Sequence, residues 1–316
     1  MRTARLRLRC RDWWVIIRLT GPGFMASIAR RLPQNMAGDF YVDDTCIDCD
    51  ACRQIAPSIF RDDADQSIVY HQPQNEAETR LALMSLVACP TGSIGTIRKH
   101  DYRAGIDAFP ARISDNVYFC GFTSEDSFGA WSYLIVRPEA DGGNVLVDSP
   151  RFNRQLVKKI RAMGGIRNIF LTHRDDIADH EAFAAEFGAT RIMHKADGAA
   201  RHGMEKIIEG NADVRLDDDL MIIPVPGHTR GHMVLLYKNK FLFTGDHLAW
   251  SAQRETLVAF RSAAWYSWPE QTRSMPKLLE YEFEWVLPGH GRIHQDTADC
   301  MRSHLRRCIE WMKETA

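Results

Sequence analysis

Cys46, Cys49 and Cys52 form a single C-x2-C-x2-C run, and Cys89 stands far downstream, immediately before Pro90. Three thiolates at this spacing on a loop can each face one iron of a cubane. The fourth iron then needs a ligand from elsewhere, here Cys89. The loop's backbone amides can hydrogen-bond the sulfides and set the potential. Zinc sites usually pair two C-x2-C units, so three close cysteines plus one Cys-Pro fit zinc poorly. Because the run occurs once, one 4Fe–4S cluster is expected. Asp43, Asp44, Asp48 and Asp50 crowd the loop. Their charge disfavours the added electron and would steer a redox partner with a basic surface. A solvated acidic face would have the same composition.

A second group of residues sets imidazole and carboxylate beside glycine. It comprises Pro226-Gly227-His228-Thr229-Arg230-Gly231-His232, Phe243-Thr244-Gly245-Asp246 and Leu287-Pro288-Gly289-His290-Gly291. Glycine at such positions lets the backbone turn sharply and leaves the neighbouring side chain facing a cleft. Upstream, Thr172-His173-Arg174-Asp175-Asp176-Ile177-Ala178-Asp179-His180 concentrates further histidine and aspartate.

Residues 38–96 closely resemble single-cluster bacterial ferredoxins, including the stretches Cys52 to Phe60 and Ala88 to Ile94. Residues 112–295 resemble the metallo-β-lactamase superfamily. The G-H-T-x-G-H turn, the strand-end Gly-Asp and the P-G-H-G loop stand in order, preceded by Val145-Leu146-Val147-Asp148. This resemblance implies that His228 ligates a first metal, Asp246 bridges two metals and His290 ligates the second, and that these three form the catalytic centre. One or two divalent ions (iron, manganese or zinc) would activate water against an ester, thioester or similar centre. A redox variant would hold iron there and use the cluster as an electron relay.

The first motif departs from the family's H-x-H-x-D-H, and two registers are open. Aligned on Thr-His, His173 is the first histidine and Asp175 replaces the second. Aligned on the following helix, the preferred register, Asp175-Asp176 replaces Asp-His, His173 is the second histidine and Leu171 stands where the first should be. Asp176 and His180 would then share a helix face, and His180 would reach the cleft from one turn further on. The candidate metal ligands are thus His173, Asp175, Asp176, His180, His228, Asp246 and His290. Without His180 the set is oxygen-rich, which tilts it from zinc toward iron or manganese. His194, His232 and His247 are expected to be structural or to support the ligands. Trp250, Trp265, Tyr266 and Trp268 border either a pocket or, by default, the core.

Elements to position these residues are legible in the pattern. Phe40–Val42 and Ser67–Tyr70 read as strands around the cysteine loop, and 75–88 reads as a helix ended by Cys89-Pro90. From about 115, strand-like runs at 131–136, 144–148, 169–172, 191–194, 220–225, 233–237 and 241–243 interleave with helix-like runs at 153–163, 179–187, 269–281 and 296–313. That alternation means a layered domain. The expected class is α+β: a ferredoxin-like cluster domain (38–96), a polar linker (97–111) and a metallo-β-lactamase αββα sandwich domain (112–316).

The chain has 316 residues, 45% hydrophobic and 26% charged, with mean hydropathy −0.31. No apolar run approaches the roughly 18–20 residues of a membrane span, so no membrane partner is expected. Eight arginines against Asp12 give residues 1–31 a charge near +7, although the whole chain carries −1. Residues 1–37 are expected to be a basic extension outside the domains, and targeting to an organelle competes with a cytoplasmic location. No nucleic-acid partner is expected. The function expected is a redox-linked metallo-hydrolase or oxidoreductase acting on an unknown small molecule. The alternative is a non-catalytic electron-transfer or redox-sensing protein with a degenerate second domain.

Overall fold

The structure is a computed structural model and describes residues 26–315. Most of the basic extension, and with it the targeting expectation, lies outside the described residues.

The first domain is built around the cysteine loop. Strand β1 (Phe40–Val42) pairs antiparallel with β4 (Ile94–Thr96). Helix α1 (Ala51–Ile55) starts inside the cysteine run, and β2 (Phe60–Asp63) forms a hairpin with β3 (Gln66–Val69). Helix α2 (Glu76–Ala88) is capped by Asn75, whose side chain accepts the Glu78 amide, and Cys89-Pro90 ends it. Phe40, Val42, Ile59, Ile68, Val69, Leu83 and Ile94 fill the core between these elements.

Two expected boundaries shift. The extension was expected to run to residue 37, but Leu32 is buried in this core, and the Asn35 side chain bonds the backbone of Leu32, Val42 and Val69. The expected linker is also packed. Its short helix α3 (Arg103–Ile106) lies on α2 so closely that a Cβ on Gly105 would stand 2.6 Å from the Leu83 carbonyl oxygen. Charged residues dominate the local pattern of both segments, yet single apolar side chains anchor them, Leu32 in the core of the first domain and Phe109 in that of the second.

The second domain has two sheets face to face. The first runs in sequence order: β5 (Ala111–Ser114), β6 (Val117–Phe119), β7 (Tyr133–Ile135), β8 (Val145–Val147), β9 (Asn168–Phe170), β10 (Thr190–His194) and β11 (Lys206–Ile208). It is antiparallel up to β8 and parallel beyond, where helices α4 (Arg154–Ala162) and α5 (His180–Phe187) supply crossovers. The second sheet holds β12 (Val214–Arg215), β13 (Leu220–Pro224), β14 (Met233–Tyr237) and β15 (Phe241–Gly245). A separate hairpin, β16 (Ala249–Ser251) with β17 (Thr256–Val258), and helix α6 (Trp268–Ser274) then lead to its last strands, β18 (Trp285–Pro288) and β19 (His294–Gln295). Helix α7 (Ala298–Glu314) closes the chain.

The period of two along the second sheet explains the layers. Leu220, Ile222, Met233, Leu235, Tyr237, Phe241, Phe243 and Leu287 join the core shared with the first sheet. Their neighbours Ile223, Val234, Leu236, Leu242 and Val286 face the other way, onto Met301, Leu305 and Ile309 of α7. Both faces of the sheet are covered, so these strands are almost wholly apolar. Each fully buried Leu or Phe contributes roughly 1.5–3 kcal/mol. On the outer face of the first sheet, α4 and α5 bring Leu156, Ile160 and Phe183 into the core. The result is the αββα sandwich. The chain leaves the ends of β8, β9, β13, β15 and β18 into the stretches that carry Asp148, His173, His228, Asp246 and His290, so the ligand stretches gather along one edge.

Candidate metal centre and cluster site

The cysteine loop winds through left-handed backbone at Asp48 (φ 59°) and Asp50 (φ 66°), which turns it back on itself between the cysteines. The Ser67 amide donates to Cys46 Sγ at 3.4 Å, and the Thr91 hydroxyl lies 3.7 Å from Cys89 Sγ. Burial, followed by the proximity of Cys89 and Cys52, pushes the Cys49 thiol well up, and burial raises Cys52 to about 12. Four thiolates so placed need a cationic partner, and an iron–sulfur cluster provides one. The acids of the loop are largely engaged. Arg53 holds Asp48, Asp50 and Asp62, and Asp43 is buried beneath Ser27 and Thr45. The exposed acidic surface near the cluster lies instead at a depression beside Cys46, lined by Asp63 and Asp65.

In the second domain the His173 Nε2 lies 3.8 Å from Asp246 Oδ2 and 3.9 Å from Asp175 Oδ2. His228 Nε2 lies 3.6 and 3.7 Å from the same two oxygens. These separations are too long for hydrogen bonds. Ligands about 2.0–2.2 Å from a shared ion stand roughly 3.3–3.6 Å apart, so His173, His228 and Asp246 stand at nearly coordination spacing, with Asp175 at a similar distance from both imidazoles. On the other side of Asp246, His290 Nδ1 approaches its carboxylate at 2.8 Å, and Asp176 completes a second group. His173 Nε2, His228 Nε2 and Asp176 Oδ2 are buried without a hydrogen-bond partner. Orphaned buried polar atoms of this kind are costly unless a ligand takes them up. The donor set therefore fits divalent ions, with Asp246 shared between two positions.

Neither register of the first motif describes the structure whole: one acid stands as the Thr-His register has it, the other is an acid only the helix register assigns. Asp175 stands with His173 and His228, and Asp176 with Asp246 and His290. Leu171 is buried in the core. His180 does not reach the cleft. Helix α5 begins only at His180, with Asp179 as its N-cap residue, so Asp176 and His180 never share a helix face. The Asp179 carboxylate accepts the Phe152 amide and fixes that turn. The His180 ring sits 6.4 Å from that of His202, and burial holds its pKa at about 4.

Several supporting residues had little or no sequence signal. Thr172 Oγ1 lies 3.0 Å from both Asp148 oxygens and 2.9 Å from His173 Nδ1. The hydroxyl can donate to Asp148 and accept from Nδ1–H, which leaves Nε2 of His173 free as a ligand. Asp197, distant in sequence, accepts the Thr229 hydroxyl at 2.5 Å and the Gly231 amide at 2.7 Å, and so pins the turn that carries His228. Gly289 leaves room for the acids, since a Cβ there would stand 2.5 Å from Asp176 Oδ2. His232 accepts the Asp246 amide on Nε2 at 3.2 Å and stacks on His173, with His247 behind it. His194 bonds the Ala196 amide and the Gly210 carbonyl. None of these three is placed as a ligand.

Burial and crowded charge shape the electrostatics of the site. Burial opposes the charge on Asp246, but His290, His173 and His228 hold its carboxyl far below the usual range. Burial and then the Asp246, Asp148 and Asp175 charges push Asp176 well up, and burial raises Asp148 to about 8. The four aromatics divide. Trp268 is buried and Trp250 stacks on His294, whereas Trp265 and Tyr266 are exposed beside His228. Phe128, also exposed, flanks His290.

The chain joins a single-cluster 4Fe–4S ferredoxin domain to a metallo-β-lactamase-fold domain, the latter defined by the αββα layers and the ordered ligand loops at one edge. Residues 42–96 match the family model described as the 4Fe-4S single cluster domain of ferredoxin I. The second domain is similar to hydroxyacylglutathione hydrolases. That of Anaeromyxobacter dehalogenans is 34% identical over 126 residues, 38% of this chain and 47% of that protein. That of Chelativorans sp. is 26% identical over 168 residues, 51% of this chain and 61% of that protein. The chain spans about half the length of the curated relatives it matches. Similar solved structures include a metallo-beta-lactamase from Hirschia baltica (TM-score 0.47, 16% identity, 64% of this chain and 96% of that one). Another is ETHE1 from Myxococcus xanthus (TM-score 0.43, 20% identity, 62% and 90%).

Proposed function

We propose that this protein is a metal-dependent hydrolase or oxidoreductase acting on a small molecule, with its 4Fe–4S domain supplying electrons to the second domain. The observation that carries this reading is the convergence of unpartnered His173 Nε2 and His228 Nε2 on oxygens of Asp175 and Asp246, with Asp176 and His290 on the far side. His173, Asp175, His228 and Asp246 would hold one ion, and Asp176, Asp246 and His290 a second. Bound there, the ions would lower the pKa of water and stabilise negative charge developing on a substrate oxygen. The likeness to hydroxyacylglutathione hydrolases supports an ester or thioester as the bond attacked.

The protein's own groups prepare this chemistry. Thr172 and Asp148 fix the tautomer and ring orientation of His173, and Asp197 fixes the loop of His228. His290 donates from Nε2 to the Phe128 carbonyl, which directs Nδ1 at Asp246. Trp265, Tyr266 and Phe128 rim the site and suit an apolar part of the substrate. A one-electron carrier with a basic surface would approach at the depression beside Cys46, between Asp63 and Asp65.

The test is elemental and kinetic. Anaerobically purified protein should contain one cluster plus one or two further metal ions, and should cleave model thioesters or turn over in a redox assay. Its activity should fall when Asp246→Asn removes the shared carboxylate. Protein that holds its cluster, holds no second-domain metal and shows neither activity would be a cluster protein only, and the proposal would fall.

A further inference from the structure

The two domains touch at their ligand loops. A Cβ on Gly129 would stand 2.6 Å from Cys49 Cβ and 2.8 Å from Cys49 Sγ. The backbone of residue 129 therefore lies in van der Waals contact with a cluster thiolate. Its φ of +82° is left-handed, which together with the contact leaves room only for glycine. The next carbonyl back, that of Phe128, accepts from His290 Nε2 at 3.3 Å. The segment is locked to the same loop by the Trp131 amide, which donates to the Gly289 carbonyl at 2.8 Å. From the other direction Arg292, two residues beyond His290, reaches into the cysteine loop. It donates to the Arg53 carbonyl at 2.7 Å and to Asp50 at 3.3 Å.

We propose that the Phe128–Gly129 peptide is an electron bridge from the cluster thiolate of Cys49 to the metal ligand His290, with Arg292 setting the charge beside the cluster loop. The inference rests on the reading above that the second domain binds metal. The path consists of one van der Waals contact, one peptide unit and one hydrogen bond. Hydrolysis has no use for such a path, whereas electron transfer needs one, because coupling decays steeply across every gap through space. In the step itself one electron leaves the reduced cluster and returns to the divalent state an iron or manganese ion that an oxidising substrate, bound at the second domain and reduced by one electron, has made trivalent. No bond forms or breaks, and an external one-electron carrier restores the cluster.

The experiment uses the full chain with its cluster and with manganese(II), zinc(II) or iron at the second domain. The electron paramagnetic resonance signal of the reduced cluster should be broadened, with faster relaxation, in the manganese form relative to the zinc form. In the iron form, freeze-quench spectroscopy should follow oxidation of the cluster as the ferric ion is reduced. Gly129→Ala forces the peptide off Cys49 and should slow that transfer by at least about tenfold at unchanged cluster and iron content. Arg292→Gln removes a positive charge that favours the reduced cluster, so the cluster's midpoint potential should move down. If Gly129→Ala fails to retain its cluster, the manganese–zinc comparison and Arg292→Gln decide. Identical cluster signals in the manganese and zinc forms, or transfer at wild-type rate in intact Gly129→Ala, would overturn the bridge while leaving the metal site standing. A second domain that takes up no metal would instead overturn the reading beneath it.

Discussion

Asp175 and His228 face each other at 3.7 Å, carboxylate oxygen to Nε2, and the same oxygen lies 3.9 Å from His173 Nε2. A single aspartate oxygen therefore stands close to both imidazoles. Asp175→Ala should lower metal affinity by at least about tenfold. His180→Ala should leave metal content unchanged and cost roughly 1–3 kcal/mol of stability, because His180 is buried away from the cleft. Metal analysis of both variants after dialysis against a weak chelator separates these effects. Metal loss in His180→Ala alone would contradict the arrangement.

Thr172 links Asp148 to His173 Nδ1, so its hydroxyl controls the direction of Nε2. Thr172→Val keeps the shape and removes the link. Metal affinity should fall about 10–100-fold with little loss of fold, as measured by competition with a chromophoric chelator. Thr172→Ser should recover most of it.

Metal uptake should release protons. Burial, reinforced by neighbouring carboxylates, keeps Asp176 protonated far above the usual range, and Asp148 titrates at about 8 in the metal-free site. A cation favours the ionised forms, so loading at neutral pH expels protons that the free protein holds. Apparent affinity should then rise with pH up to about 8, by about tenfold per unit for each proton released. Titration calorimetry in buffers of different ionisation enthalpy counts the protons. A pH-independent affinity between 6 and 8, to about a factor of two, would mean that these carboxyls are already ionised.

Anaerobic protein should be brown, with about four irons and four sulfides per chain beyond the second-domain metal. Cys46→Ala with Cys49→Ala should abolish the colour and spare the metal of the second domain. Cys120, Cys300 and Cys308 should be dispensable for it, since Cys120 and Cys308 are buried in the second domain and Cys300 is exposed on α7. Zinc without acid-labile sulfide would rule out the cluster.

Asp197 is buried and holds the Thr229 hydroxyl and the Gly231 amide. Asp197→Ala leaves both donors unpaired and should destabilise the metal-free protein by about 3 kcal/mol in chemical denaturation. A loss below about 0.5 kcal/mol would show that the turn does not depend on it.

Local chemistry made much of this protein legible from its residues. The cysteine spacing, the glycine-flanked His228, Asp246 and His290, and the two-residue period of strands such as Met233–Tyr237 are short-range properties, and each survives in the fold. The limits of α2 were equally readable, because Asn75 caps one end and Pro90 forbids continuation at the other. What the sequence left undecided depended on three-dimensional placement. Residues 172–180 admit two registers, and the place of His180 depends on where α5 begins, at a turn that the Asp179–Phe152 bond holds from another loop. Asp197 and Thr172 carry no motif, since a supporting hydrogen bond needs only a carboxylate or a hydroxyl in the right place. The contact of Gly129 with Cys49 could not be read at all. It joins residues of different domains, and a glycine at positive φ looks the same in sequence whether it turns a loop or makes room for a thiolate.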